Sequence, residues 1–206
     1  MAAACERAGR ARDEVTLVAV SKTFPASDVA HAIAAGMTDV GENKVQEARD
    51  KKPSVTGAAR WHLIGHLQSN KAKDAVRLFD VIQTIDSIEL AERVARIAEN
   101  EGKRQEVFVQ VNVGEEAQKN GLEVAAVPSI VKRIVELPSL HLSGLMAIPP
   151  FLEPEEVRPY FRKLRALRDD LGLVELSMGM TDDFEVAIEE GATIIRVGRA
   201  IFGARG

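Results

Sequence analysis

The chain has 206 residues, a formal net charge of −4, 46% hydrophobic residues and 28% charged residues. That length suits a single domain, 1–206, and the balance is ordinary for a globular protein. Lys and Arg are scattered without a basic block and aromatics make up only 4%, which argues against nucleic acid as a partner; no apolar stretch reaches spanning length and the N-terminus shows no signal-peptide core, which argues against a membrane.

The single cysteine, Cys5, excludes an internal disulfide framework and a Cys-rich zinc site. It fits a reducing cytoplasm and is expected to be an inert or exposed thiol near a mobile terminus. Residues 1–8 read as the tail of a helix stopped at Gly9, a shortened N-terminal helix. The first strand is 15–20, an apolar, β-branched run closed by Ser21-Lys22-Thr23-Phe24-Pro25. A helix follows over 26–35, with Pro25 or Ser27 at its start and Gly36 as its stop. The second strand is 39–42 and its helix 45–51. The third strand is 61–65, followed by a helix from about Gln68 that carries Lys71, Lys73 and Val76. The fourth strand is 81–85; Ser87 caps a helix running to Asn100. The fifth strand is 107–112, followed by a polar loop over 114–121 and a helix ending at Glu136. The sixth strand is 140–148; Pro149 and Pro150 interrupt the chain before a helix over 155–171. The seventh strand is 175–178, with a short helix over 184–190, and the eighth is 193–197, followed by a short tail.

Eight strands alternating with helices predict a (β/α)8 TIM barrel. An open doubly wound sheet competes, but it expects a glycine-rich turn after the first strand, and Ser21-Lys22-Thr23-Phe24-Pro25 has none.

In such a barrel, function collects at the C-terminal ends of the strands. Period-two alternation from Val18 and Val20 aims Lys22 inward, where desolvation favours a neutral, nucleophilic amine. The competing reading is a lysine snorkelling to solvent. Other strand ends carry Gly41-Glu42-Asn43, Gly65-His66, Asn112 and Met146. After the seventh strand, Ser177 and Thr181 flank Gly179; after the eighth, Gly198 precedes Arg199. These two loops are the usual barrel position for phosphate, although ordinary tight turns would show the same residues. Arg196 alternates in register with Ile194 and Gly198 and should face the mouth, unless it forms a structural ion pair with an acid such as Glu42. Lysine, phosphate cradle and inward arginine suit a phosphorylated aldehyde. Pyridoxal 5'-phosphate (PLP) is the candidate, with a Schiff base on Lys22 and Arg196 at the pyridine nitrogen.

At these residues the chain resembles the pyridoxal phosphate homeostasis protein family, related to the N-terminal barrel domain of alanine racemase. The matching segments are Val18-Ala19-Val20-Ser21-Lys22-Thr23, Gly41-Glu42-Asn43, Trp61-His62-Leu63-Ile64-Gly65-His66-Leu67-Gln68-Ser69-Asn70-Lys71, Gly144-Leu145-Met146-Ala147-Ile148-Pro149, Leu176-Ser177-Met178-Gly179-Met180 and Arg196-Val197-Gly198-Arg199-Ala200-Ile201-Phe202-Gly203. The resemblance implies PLP on Lys22, phosphate contacts from Ser177 and Gly198-Arg199, Arg196 at the ring nitrogen and Asn43 beside the cofactor. It also implies a role in vitamin B6 supply with no firm catalytic activity. Three positions depart from the family pattern: Phe24 where a second lysine is common, Lys44 where tyrosine is common, and Arg199 where threonine is common.

The residues themselves favour a carrier over an efficient enzyme. Arginine at the pyridine nitrogen disfavours its protonation and weakens the ring as an electron sink. Racemisation needs acid–base groups on both faces of the substrate carbon, and the only tyrosine, Tyr160, falls on the helix after the sixth strand. The alternative is a weak amino-acid racemase that uses water or His66 as second base. A third reading is a phosphosugar-binding barrel or aldolase. A carrier would have PLP-dependent apoenzymes as partners and is expected as a monomer or weak dimer.

Overall fold

The structure, a computed structural model, describes residues 1–116 and 118–203. Ala117, within the polar loop expected at 114–121, and the end of the tail, 204–206, lie outside the described residues.

Eight strands are found among the described residues: β1 (Thr16–Val20), β2 (Asp39–Glu42), β3 (Arg60–Leu63), β4 (Val81–Ile85), β5 (Gln105–Val111), β6 (Leu140–Ala147), β7 (Glu175–Ser177) and β8 (Ile194–Val197). They are parallel and close in sequence order into a barrel. Val18 pairs with Asp39 of β2 on one side and with Arg196 of β8 on the other, so β1 joins the first and last units. Parallel strands buried on both faces need long crossovers, and the helices supply them. These are α1 (Ala2–Arg7), α2 (Ala26–Ala34), α3 (Val45–Lys51), α4 (Ala72–Leu78), α5 (Ile88–Asn100), α6 (Val127–Val135), α7 (Pro154–Asp170), α8 (Phe184–Glu189) and α9 (Arg199–Phe202).

The expected elements are all present, with shifts at their ends. Val15 precedes β1, Gly65 lies past β3, and a 3-10 turn over Ser69–Lys71 opens the segment before α4. Part of the expected tail is the short helix α9.

Two apolar layers hold the barrel. Outward strand residues such as Val40, Leu63, Ile82 and Leu145 pack against helix residues such as Val29, Val94, Val131 and Phe161. Inside, Val18, Val81, Phe108, Met146 and Ile194 form a separate buried cluster, the inward halves of the alternating strands. Ser87 caps α5 as expected, its Oγ accepting from the Leu90 N–H at 3.2 Å.

Helix α1 is tied down. Arg7 donates to Glu185 and Glu189 of α8, and Arg10 donates to the carbonyls of Ile188 and Ala192. Cys5 is buried at 1% exposure, so the exposed-thiol expectation is corrected: α1 packs its sulfur against the main core. Arg158 of α7 bonds Glu155, Glu189 and Glu190, and these partners raise its pKa further. No helix among the described residues is long and apolar enough to cross a membrane.

Candidate functional site

A cavity of about 640 Å³ opens at the C-terminal mouth of the barrel, within the range of small-molecule sites. Lys22, Asn43, Arg196, Gly198 and Arg199 of the expected site all line it. They arrive from three separate strand ends, which explains why nothing in the linear sequence places them side by side. Met146, Ser177 and Gly179 are not among the residues lining it; each is buried.

Lys22 continues the inward alternation of Val18 and Val20 and lines the cavity, half-buried. The turn that carries it is unusual. Thr23 has φ of 71°, the left-handed region, where a β-branched residue is strained. The surroundings over-determine that turn. The Thr23 N–H donates to Glu47 Oε2 at 2.9 Å, and the Phe24 N–H donates to the Ser21 carbonyl at 3.0 Å. Lys51 of α3 donates to the same carbonyl at 2.8 Å and to Glu42 Oε1 at 2.7 Å. Ser21 Oγ donates to Glu42 Oε1 at 2.6 Å. Phe24 stacks on Phe202 of α9, with ring centroids 5.2 Å apart.

Glu42 is therefore the partner of Lys51 and Ser21, not of Arg196. Burial pushes its carboxyl above the usual range, and the Lys51 and Ser21 contacts only partly offset this. Arg196 instead donates from Nη1 to Ser177 Oγ at 2.6 Å and from Nη2 to the Ala147 carbonyl at 2.9 Å. Burial pushes its pKa down to about 10, against the attraction of Asp183. Two of its five N–H donors are accounted for, which leaves donors for a ligand at the cavity floor.

Ser177, expected at a phosphate, has its hydroxyl engaged below the floor: it donates to Gln83 Oε1 at 2.6 Å while it accepts from Arg196. Gly179 sits at φ of 92°, where a Cβ would fall 2.5 Å from that of Ala187, and its carbonyl accepts from the Arg196 N–H at 2.9 Å. It shapes the loop and anchors β8. Asn43 lines the wall with its carbonyl against Gly65, where a Cβ would lie 2.2 Å from that oxygen. Met180 and Thr181 from the loop after β7 line the cavity together with Gly198 and Arg199 from after β8. Thr181 Oγ1 accepts from the Gly198 N–H at 3.4 Å, and Arg199 pairs with Asp182 at the rim.

The sequence reading missed several residues. Gln110 lines the cavity, buried, with Nε2 donating to the Asn120 carbonyl at 3.3 Å and no partner for Oε1 among the described residues. A polar residue two places after inward Phe108 was a readable signal. Glu47 and Lys51 gave none, because their role depends on how α3 packs over the first turn. His66 lines the cavity, and its Nδ1 lies 3.1 Å from Asp86 Oδ2. Tyr160 packs on the helix-side core away from the cavity. Among the described residues, no group of three His, Cys, Asp or Glu side chains is placed to hold a metal ion.

A family model described as "Alanine racemase, N-terminal domain" matches residues 3–206. A pyridoxal phosphate homeostasis protein of Aquifex aeolicus is 44% identical over 98% of this chain and 92% of its own length. One from Escherichia coli K12 is 42% identical over 100% of this chain and 92% of its own. Among solved structures, PipY of Synechococcus elongatus PCC7942 with PLP bound superposes with a TM-score of 0.88 at 38% identity, covering 97% of both chains. An alanine racemase of Clostridium difficile 630 shares the fold alone, with a TM-score of 0.75 at 13% identity over 99% of this chain and 55% of its own. The chain belongs to the alanine racemase N-terminal domain family and, within it, to the pyridoxal phosphate homeostasis proteins.

Proposed function

We propose that this protein binds PLP through Lys22 and serves PLP homeostasis, with little catalysis of its own. The observation that carries the reading is one cavity lined by both an amine, Lys22, and a buried guanidinium, Arg196, from the ends of the neighbouring strands β1 and β8. The residues fit the cofactor. Lys22 offers a nucleophile for an aldehyde, and the turn built by Thr181, Gly198 and Arg199 offers N–H, hydroxyl and guanidinium groups for phosphate. Arg196 offers a donor to an unprotonated ring nitrogen. When bound, PLP supplies an aldehyde that links covalently to a primary amine. The protein's own residues hold, orient and shield it. Ser177 accepts from Arg196, Met146 belongs to the interior cluster, and the Gly179 loop packs against Ala187 and holds the Arg196 N–H.

An arginine at the ring nitrogen opposes the electron withdrawal that amino-acid chemistry needs. This supports a carrier, with PLP-dependent apoenzymes as recipients, working in the cytoplasm as a monomer or weak dimer. The experiment is a spectrum. Purified protein given PLP should turn yellow, and borohydride reduction should fix the adduct on the peptide containing Lys22. Lys22→Ala should abolish both. A wild-type protein that stays colourless with PLP refutes the reading.

The pair of His66 and Asp86 favours a second reading, a weak amino-acid racemase with His66 as the other base. Exchange of L- for D-alanine faster than with free PLP but well below the median enzyme turnover of about 10 per second, and lost in His66→Ala, would establish it.

A further inference from the structure

A line of buried polar side chains runs inside the barrel beneath the cavity. Asp39 opens β2 at the barrel base and is 8% exposed; His62 and Gln83 are fully buried, as is Ser177. The contacts are continuous. Asp39 Oδ1 lies 2.8 Å from His62 Nε2, His62 Nδ1 lies 2.9 Å from Gln83 Nε2, Gln83 Oε1 accepts from Ser177 Oγ at 2.6 Å, and Ser177 Oγ accepts from Arg196 Nη1 at 2.6 Å. Nothing in the proposed PLP chemistry uses Asp39, His62 or Gln83. A barrel interior is otherwise filled by apolar side chains, as the cluster of Val18, Val81, Phe108, Met146 and Ile194 shows.

The hydrogen positions follow from the ends. Burial alone would raise the Asp39 carboxyl, but the hydrogen bonds from His62 and Thr38 hold it below the usual carboxylate range. An ionised Asp39 only accepts, so His62 must carry its proton on Nε2. A neutral ring then has an acceptor at Nδ1, which turns the Gln83 amide with Nε2 toward His62 and Oε1 toward Ser177. The Ser177 proton goes to Gln83, leaving its lone pair for Arg196. The opposite arrangement, a charged His62 with the amide reversed, leaves the Ser177 proton with no acceptor along this line and brings a second cation into the barrel with Arg196. Each link has one low-energy sense, and all donors point away from the cavity toward Asp39.

We propose that Asp39, His62 and Gln83 are positioning residues for Arg196. They fix Ser177 as an acceptor, which locks the guanidinium plane so that its remaining N–H donors face an unprotonated nitrogen in the ligand. This rests on the reading of the cavity as a PLP site, and it adds that selectivity for the ring nitrogen is set from the base of the barrel. A line that merely satisfied buried polar groups would support the fold equally for any ligand.

Two measurements test it. The first uses the protein without cofactor: nitrogen NMR of His62 should show Nε2 protonated and Nδ1 unprotonated, and an Nδ1–H tautomer or an imidazolium near neutral pH overturns the proposal. The second compares PLP with its carbocyclic analogue, in which CH replaces the ring nitrogen. Gln83→Leu and the gentler Asp39→Asn should each weaken PLP about tenfold, the scale of a lost hydrogen bond to a charged group, while the analogue stays within about twofold. Folded Asp39→Asn protein that weakens both ligands equally, or neither, overturns the proposal even if Gln83→Leu fails to fold. Failure of the PLP reading itself would show separately, as wild-type protein that does not bind PLP.

Discussion

Replacing Lys51 with methionine should destabilise the fold in a pH-dependent way. Glu42 is fully buried, with Oε1 taking hydrogen bonds from Lys51 and Ser21 and Oε2 without a partner among the described residues. Its carboxyl is already raised by burial. A carboxyl raised above its unfolded value stabilises the fold fully below the unfolded pKa, and that contribution is lost as pH rises through the folded value. Removing Lys51 raises Glu42 further and widens this window upward. Holding an unpaired Glu42 neutral costs about 1.4 kcal/mol for each pH unit above its unfolded pKa of about 4.3. The wild-type carboxyl, already raised, forfeits part of this, so the loss on substitution is at most about 1 kcal/mol at about pH 5 and at most about 4 kcal/mol at about pH 7.5, against about 3–5 kcal/mol for breaking a buried pair. Urea unfolding at the two pH values measures it, with an unchanged slope as the control for two-state behaviour. Adding Glu42→Gln to Lys51→Met should recover most of the loss at the higher pH. Equal losses at both pH values, or a loss under about 1 kcal/mol at about pH 7.5, would refute a buried, charge-dependent clamp under the Lys22 turn.

Three further outcomes are expected. Asp182→Asn should tighten PLP binding by up to about fivefold, because it releases Arg199 at the rim; the effect should shrink with added salt, and titration at two ionic strengths measures it. Gly179→Ala should cost more than about 1 kcal/mol in thermal or urea unfolding and should also weaken PLP, since the φ of 92° and the contact with Ala187 both oppose a methyl group and the Gly179 carbonyl holds the Arg196 N–H. Ser87→Ala should cost about 1 kcal/mol through the lost cap on α5 and leave the PLP spectrum unchanged.

The barrel was legible because its signals are local. Apolar β-branched runs alternate with amphipathic segments, and Ser87, Gly36 and the prolines mark boundaries that owe nothing to distant contacts. Lys22 and Arg196 were legible for the same reason: period two from a buried neighbour sets which face a strand residue takes, and both line the cavity. The environment of each residue was less legible. Ser177 faces inward as a strand residue should, but whether its hydroxyl meets a ligand or a neighbouring strand depends on its height in the barrel. That height is set by strand stagger, with Ser177 level with Met146 and Ile194. Those two neighbours belong to the interior cluster beneath the mouth, so Ser177 comes under Arg196.

Phe24 shows what a departure from a family pattern can mean physically. The sequence shows only a missing second lysine near Lys22. In the structure that position is the contact between the first turn and α9, where Phe24 stacks on Phe202. A lysine there would lose the ring contact and bring a second amine near the first. The strained Thr23 is braced on one side by Glu47 and Lys51 from α3 and on the other by this stack. The stack also closes the barrel's first and last βα loops against each other, beside the turn of Gly198 and Arg199. The turn that carries Lys22 and the helix that follows Gly198 and Arg199 are thus in direct contact through Phe24 and Phe202.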